Sequence, residues 1–147
     1  MDPKRLDLLK KISEVNGISG AERDVARLVK AELKGVADTF AYDNLGSIVA
    51  NLDGEKGAPR VLLAGHMDEV GFLVKQIEKS GFLRLHNVGG WWGHVVPAHE
   101  WVVTTREGKE YIGVTGAQPP HGMPAEQRNK VMELKDMYLD MGVSSDE

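Results

Sequence analysis

Arg60-Val61-Leu62-Leu63-Ala64-Gly65-His66-Met67-Asp68-Glu69-Val70-Gly71 is the stretch on which the fold turns. An apolar run stops at three polar side chains followed by a glycine. The run predicts a mostly buried strand over Arg60–Gly65. Side chains alternate faces along a strand, so His66 and Asp68 share a face in extended backbone and Glu69 points to the other. Glu69 therefore reads as a neighbour of the pair rather than a member of it. Ligands of open α/β sheets collect outside the carboxyl ends of strands, where this pair falls.

Upstream, Leu6, Leu8, Leu9 and Ile12 recur at helical spacing over residues 3–15, with Pro3 suited to a first turn. Asn16-Gly17 ends that helix. Ser19-Gly20-Ala21-Glu22 fits a capping box, and the helix it opens carries Val25, Leu28, Val29 and Leu33 on one face, with Gly35 as its stop. The period then shortens. Phe40 and Tyr42 fall in one strand and Gly46–Leu52 forms a second, with Asp43-Asn44-Leu45-Gly46 as the turn between them. Two helices followed by strands read as an α/β layer, but this piece has few strands for a sheet that must cover helices.

Downstream of Gly71 the texture changes. Strands are predicted over Phe72–Glu78, Phe82–Val88, Trp101–Arg106 and Tyr111–Val114, with glycine turns between them. That spacing suggests a small β-barrel or sandwich. A short helix is expected over Ala125–Met132 and a last strand over Met137–Met141. The expected division is an α/β domain over 1–70 and a β-rich domain over 71–147.

Composition removes several function classes. The chain has 147 residues and a formal net charge of −4, so no basic surplus exists to neutralise nucleic-acid phosphates. No apolar run approaches the length of a membrane span, and the N-terminus shows no signal-peptide pattern. A cytoplasmic protein is the simplest expectation. With no cysteine, disulfides, thiolate zinc sites and thiol nucleophiles are excluded. Any metal must be held by His, Asp and Glu. No serine sits in a nucleophile elbow and no glycine loop for phosphate precedes a helix. Metal-assisted chemistry is the enzymatic reading that remains.

His-x-Asp alone is a weak pattern, compatible with a metal ligand and its carboxylate neighbour or with a capped polar strand end. Its place after a buried strand at a domain boundary favours a site. His121, after Pro119-Pro120, either reaches into a site from a rigid turn or is a solvated loop residue. His86, His94 and His99 lie in or beside β segments, where histidines are most often structural. Gly89-Gly90-Trp91-Trp92-Gly93 admits sugar stacking, but tryptophan in such a turn more commonly serves a core or an interface.

Several words of the sequence, taken in order, carry a resemblance. They are Asn16-Gly17-Ile18-Ser19-Gly20-Ala21-Glu22, Tyr42-Asp43-Asn44-Leu45-Gly46-Ser47, Ala64-Gly65-His66-Met67-Asp68-Glu69-Val70-Gly71-Phe72, Gly81-Phe82-Leu83-Arg84, Gly89-Gly90-Trp91, Gly113-Val114-Thr115-Gly116 and Pro119-Pro120-His121. Together they resemble the glutamyl/deblocking aminopeptidases, a family that forms tetrahedral (TET) dodecamers and includes members named endoglucanases.

The resemblance implies the N-terminal part of an α/β/α metallopeptidase catalytic domain, followed by a small β-barrel-like dimerisation domain. It implies peptide substrates, homo-oligomers from dimer to dodecamer, and two divalent metal ions, zinc or cobalt. His66 corresponds to a metal ligand, Asp68 to the catalytic carboxylate that supports it, and His121 to a family motif near the site. In the family, the bridging aspartate, the general-base glutamate, the other ligands and a final histidine lie further along than Glu147. The chain is thus expected to be a truncated or separately expressed portion, inactive alone. Two alternatives stand beside this: a non-catalytic oligomerisation module, and a carbohydrate-binding or glucanase-related protein using Trp91 and Trp92.

Overall fold

The computed structural model describes residues 2–146 and has a mixed α/β fold. The chain divides into two compact units, one ending at Glu69 and one beginning at Val70.

The first unit opens with helix α1, Pro3–Glu14. The Asp2 carboxylate caps it by accepting from the Lys4 N–H (3.1 Å), and Pro3 occupies the first turn, where its missing N–H costs nothing. Helix α2 spans Arg23–Glu32 and buries Val25 and Ala26. The expected capping box does not form. Gly20 has φ +89°, which a right-handed helix cannot use, so Ile18–Ala21 closes as a separate turn. The Glu22 carboxylate accepts instead from the Gly20 N–H (2.9 Å), and the helix begins after it. Lys11 joins the two helices, with its ammonium 2.8 Å from Asp7 and 2.9 Å from Glu32. Hydrogen bonding to Asp7, then to Glu32, holds that ammonium protonated above the ordinary lysine range.

Strands β1 (Thr39–Tyr42) and β2 (Ile48–Asn51) pair antiparallel, with Tyr42 opposite Ile48. Their turn is built by Asp43, whose Oδ1 accepts from the N–H groups of Leu45 (2.9 Å) and Ser47 (2.8 Å), while Gly46 takes φ +93°. The strand expected over Arg60–Gly65 is absent. The segment has no regular secondary structure, and Val61, Leu62 and Leu63 are exposed. A strand exists only through its ladder partners, and β2 is paired with β1 while no described strand runs beside residues 60–65. The expectation of burial fails for the same reason.

The second unit is an antiparallel sheet of five strands. In chain order these are β3 (Gly71–Ile77), β4 (Leu83–Val88), β5 (Glu100–Thr104), β6 (Glu110–Gly116) and β7 (Tyr138–Asp140). Their order across the sheet is β3-β4-β7-β6-β5. The described sheet therefore has two edges, β3 and β5. β3 and β4 are joined by the turn Lys79-Ser80-Gly81, and β5 and β6 by a turn through Gly108. β7, the shortest strand, fills the centre. Leu139 lies opposite Leu83 on one side and Thr115 on the other, which is why it is almost fully buried. Val96, Met137 and Leu83 complete the aliphatic core.

An aromatic cluster packs beside it. Phe72 stacks on Trp91 (5.1 Å between centroids), and Trp101 meets both rings edge-on. The Trp91 indole N–H donates to the Gly71 carbonyl (3.0 Å), and the Trp101 N–H donates to the Thr115 hydroxyl. The helix expected over Ala125–Met132 is a run of turns, with Gln127 bonded back to Pro124 and Lys130 to Gln127. Each bond spans three residues, and the segment buries no side chain fully, so nothing offsets the cost of nucleating a helix.

Candidate functional site

His66 and Asp68 meet in the first unit. The His66 Nδ1 lies 2.9 Å from the Asp68 carbonyl oxygen and 3.0 Å from its Oδ1. A carbonyl and a carboxylate oxygen both accept, so the neutral ring carries its proton on Nδ1 and offers the Nε2 lone pair outward. The imidazole is 85% exposed and the Asp68 side chain 40%, so the ring stands in solvent on a half-buried carboxylate. A histidine whose second nitrogen is bonded in this way is oriented for a metal ion.

A cleft of about 320 Å³ adjoins the pair, lined by Glu22, Gly46, Ser47, Gly65, His66 and Asp68 among others. The β1–β2 turn forms its far wall. Asp43 stiffens that turn: hydrogen bonds from the Ser47 hydroxyl, then the Ser47 N–H, hold its carboxyl below the ordinary carboxylate value. Glu22 and Ser47 went unrecognised in the sequence as cleft residues. Both fall within motifs of the resemblance, Glu22 also as a helix cap, but neither position by itself points to a cleft.

Glu69 has its own partner. Its backbone N–H donates to the Gly17 carbonyl (2.9 Å), and its Oε1 accepts from the Gly17 N–H (3.0 Å). It is a neighbour of the pair tied to another segment. His121 lies in the second unit, exposed, in a 3-10 turn over Pro120–Gly122. Trp91 and Trp92 are engaged separately: Trp91 sits half-buried in the aromatic cluster, while Trp92 is exposed against the His94 ring.

The donor set bears on which metal centre these residues could hold. Among the described residues no group of three or more His, Asp or Glu stands close enough to hold an ion. A catalytic zinc takes three protein ligands and a two-metal centre takes more. Among the described residues no such centre is assembled around the pair. No described helix is long and apolar enough to cross a membrane.

Comparison with known proteins gives consistent results. A family model for M42 glutamyl aminopeptidase matches residues 46–147. The lysyl aminopeptidase of Pyrococcus furiosus is 37% identical over 143 residues, covering 96% of this chain and 40% of that protein. The crystal structure of a TET aminopeptidase from a marine-sediment Thaumarchaeota archaeon superposes with a TM-score of 0.90 at 39% identity. That match covers 97% of this chain and 39% of the other. The TET1 peptidase of Pyrococcus horikoshii, described as assembling into a tetrahedron or a large octahedral shell, gives a TM-score of 0.82 at 35% identity. It is covered over 95% of this chain and 41% of its own. The chain spans about two-fifths of the length of these relatives.

Proposed function

The chain belongs to the M42 glutamyl aminopeptidase family, and on that premise we propose that it forms the N-terminal part of a metal-dependent aminopeptidase. His66 supplies one metal-ligand position through Nε2. Asp68 is the carboxylate that fixes the ring and stands beside the reacting centre. The observation that carries this reading is the His66 Nδ1–Asp68 contact at the mouth of the cleft. Two divalent ions, zinc or cobalt, would draw their other ligands from sequence of the kind that makes the relatives longer. The substrates are peptides with a free N-terminus. In this reading residues 1–70 contribute to the catalytic domain and residues 71–147 to dimerisation.

The test is hydrolysis of aminoacyl-p-nitroanilides with added zinc or cobalt. The 147-residue chain is expected to show no turnover above metal alone. Robust turnover would overturn the claim that ligands outside these residues are required.

A second reading, an assembly module without catalysis of its own, is favoured by one observation. Leu73, Val102, Tyr111, Ile112 and Val114 of the five-stranded sheet are all exposed apolar residues. Apolar surface of this kind marks interaction sites. Light scattering distinguishes the outcomes: a dimer or larger species supports assembly through the second unit, and a clean monomer at high concentration counts against it.

A further inference from the structure

We propose that Glu69 is a positioning residue, one that fixes the His66–Asp68 pair by clamping Gly17. The proposal rests on the assignment of His66 as a ligand. Among the described residues, the backbone after Ala58 is first tied to another segment at Glu69. There the attachment is double. The main chain of residue 69 forms a parallel bridge beside Ile18, with its N–H on the Gly17 carbonyl, and the carboxylate of the same residue accepts the Gly17 N–H. A carboxylate accepting a backbone N–H makes a charge-assisted bond, stronger than the amide bond beside it. Two bonds from one residue to one residue fix both translation and rotation of the backbone at position 69. That sets the direction from which Asp68, its immediate neighbour, presents its carboxylate to His66.

Gly17 is the matching half of the clamp. It is buried, and a Cβ there would fall inside contact distance of Val25 Cγ2 on α2, with the Met67 carbonyl oxygen at 3.8 Å. The absence of a side chain lets residue 17 lie between the buried face of α2 and Glu69. The clamp thereby references an otherwise unpaired, exposed segment to the best-buried part of the first unit. This gives Glu69 a task distinct from that of its two neighbours in His66-Met67-Asp68-Glu69: it contacts neither the ring nor the cleft, and acts through them.

Imidazole nitrogen NMR on the full 147-residue chain tests this without metal, with the His66 signal assigned by its loss in His66→Gln. The wild-type ring is expected to show protonated Nδ1 and unprotonated Nε2. Glu69→Gln retains an acceptor and is expected to keep that signature. Glu69→Ala is expected to lose it, the ring averaging toward the Nε2–H form of a free histidine, while the helical circular dichroism of α1 and α2 is unchanged. An unaltered His66 signature in a folded Glu69→Ala protein overturns the clamp and leaves the ligand assignment standing. A wild-type ring already averaged also overturns the clamp, since there is then no fixed ring for Glu69 to position. If Glu69→Ala does not fold, hydrogen exchange decides: the Gly17 amide is expected to exchange at least about tenfold faster in Glu69→Gln than in wild type. Equal rates would mean that the carboxylate holds nothing.

Discussion

Leu139 in β7 is 1% exposed, whereas Leu63, in the stretch that most resembles a strand by composition, is 91% exposed. The first lies in a unit that contains every partner its strands pair with. β7 has β4 on one side and β6 on the other, and the aromatic cluster closes over their neighbours. The second lies in a unit whose one described sheet, β1–β2, offers no ladder to residues 60–65. Identical side chains therefore meet opposite fates for a reason that lies outside local sequence. Hydrophobicity predicts what a segment prefers, but its ladder partners decide what it becomes.

The two units can be observed separately. Trp91, Trp92 and Trp101 all belong to the second, and both described α-helices belong to the first. Tryptophan fluorescence thus follows one unit and helical circular dichroism the other. Leu139→Ala should give the largest effect, a loss of about 3 kcal/mol from a fully buried leucine at the centre of the sheet. The fluorescence transition in denaturant should move to lower concentration while the helical transition stays in place. If both move together, the two units unfold as one cooperative body and the contrast drawn above fails.

Trp101→Phe should cost less, about 1–2 kcal/mol. It keeps a ring in the aromatic cluster but strands the Thr115 hydroxyl, buried at 3% exposure, without its indole donor. The accompanying variant Thr115→Val should cost a similar amount, and the double variant less than the sum of the two. Strict additivity would indicate that the indole and hydroxyl do not act as a pair.

The legibility of the sequence follows the same division. Strands β3 to β6 and helix α1 were readable because their alternation, turns and caps lie within a few residues of one another. The centre of the sheet was readable as a strand at Met137–Met141 but not as the central one, since its pairing with Leu83 and Thr115 spans distances that no local pattern encodes. Strand count and spacing suggest a barrel or sandwich but do not determine the strand order, which the pairings fix. The capping box failed on one residue, Gly20, whose positive φ ended the turn before α2 could begin. In the site, the spacing of His66 and Asp68 puts them on one face, and the fold brings them together by a direct contact rather than along a strand. The alternation that sets Glu69 apart from the pair says nothing of its bond to Gly17, which crosses fifty-two positions and has no local signature.

Acid should sharpen the contrast within the first unit. Because hydrogen bonds from Ser47 depress the Asp43 carboxyl in the folded state, the turn's contribution is fully present above the ordinary value of 3.8. It is lost as pH falls through the lower folded value. Asp43→Asn removes the titration. The difference in thermal midpoint between wild type and Asp43→Asn, read by helical circular dichroism, should be constant near neutrality and shrink below about pH 4. A difference that is flat through that range would mean the turn does not sense the charge.

Leu63→Ser should have the smallest effect, a change in stability within about 0.5 kcal/mol, the range for surface substitutions. The physical reason is that a side chain 91% exposed has almost no buried area to forfeit. The same change at a leucine within a buried strand would carry both a transfer and a cavity cost. What Leu63→Ser should alter is association: removing an exposed apolar group from the Val61-Leu62-Leu63 run lowers the tendency of the chain to self-associate, measured by light scattering across concentration. A loss of 2 kcal/mol or more, far beyond the usual ~0.5 kcal/mol for an exposed site, would show that the segment is covered in solution. The sequence reading of a buried strand would then be right about the folded protein, and Leu63 and Leu139 would cease to be opposites.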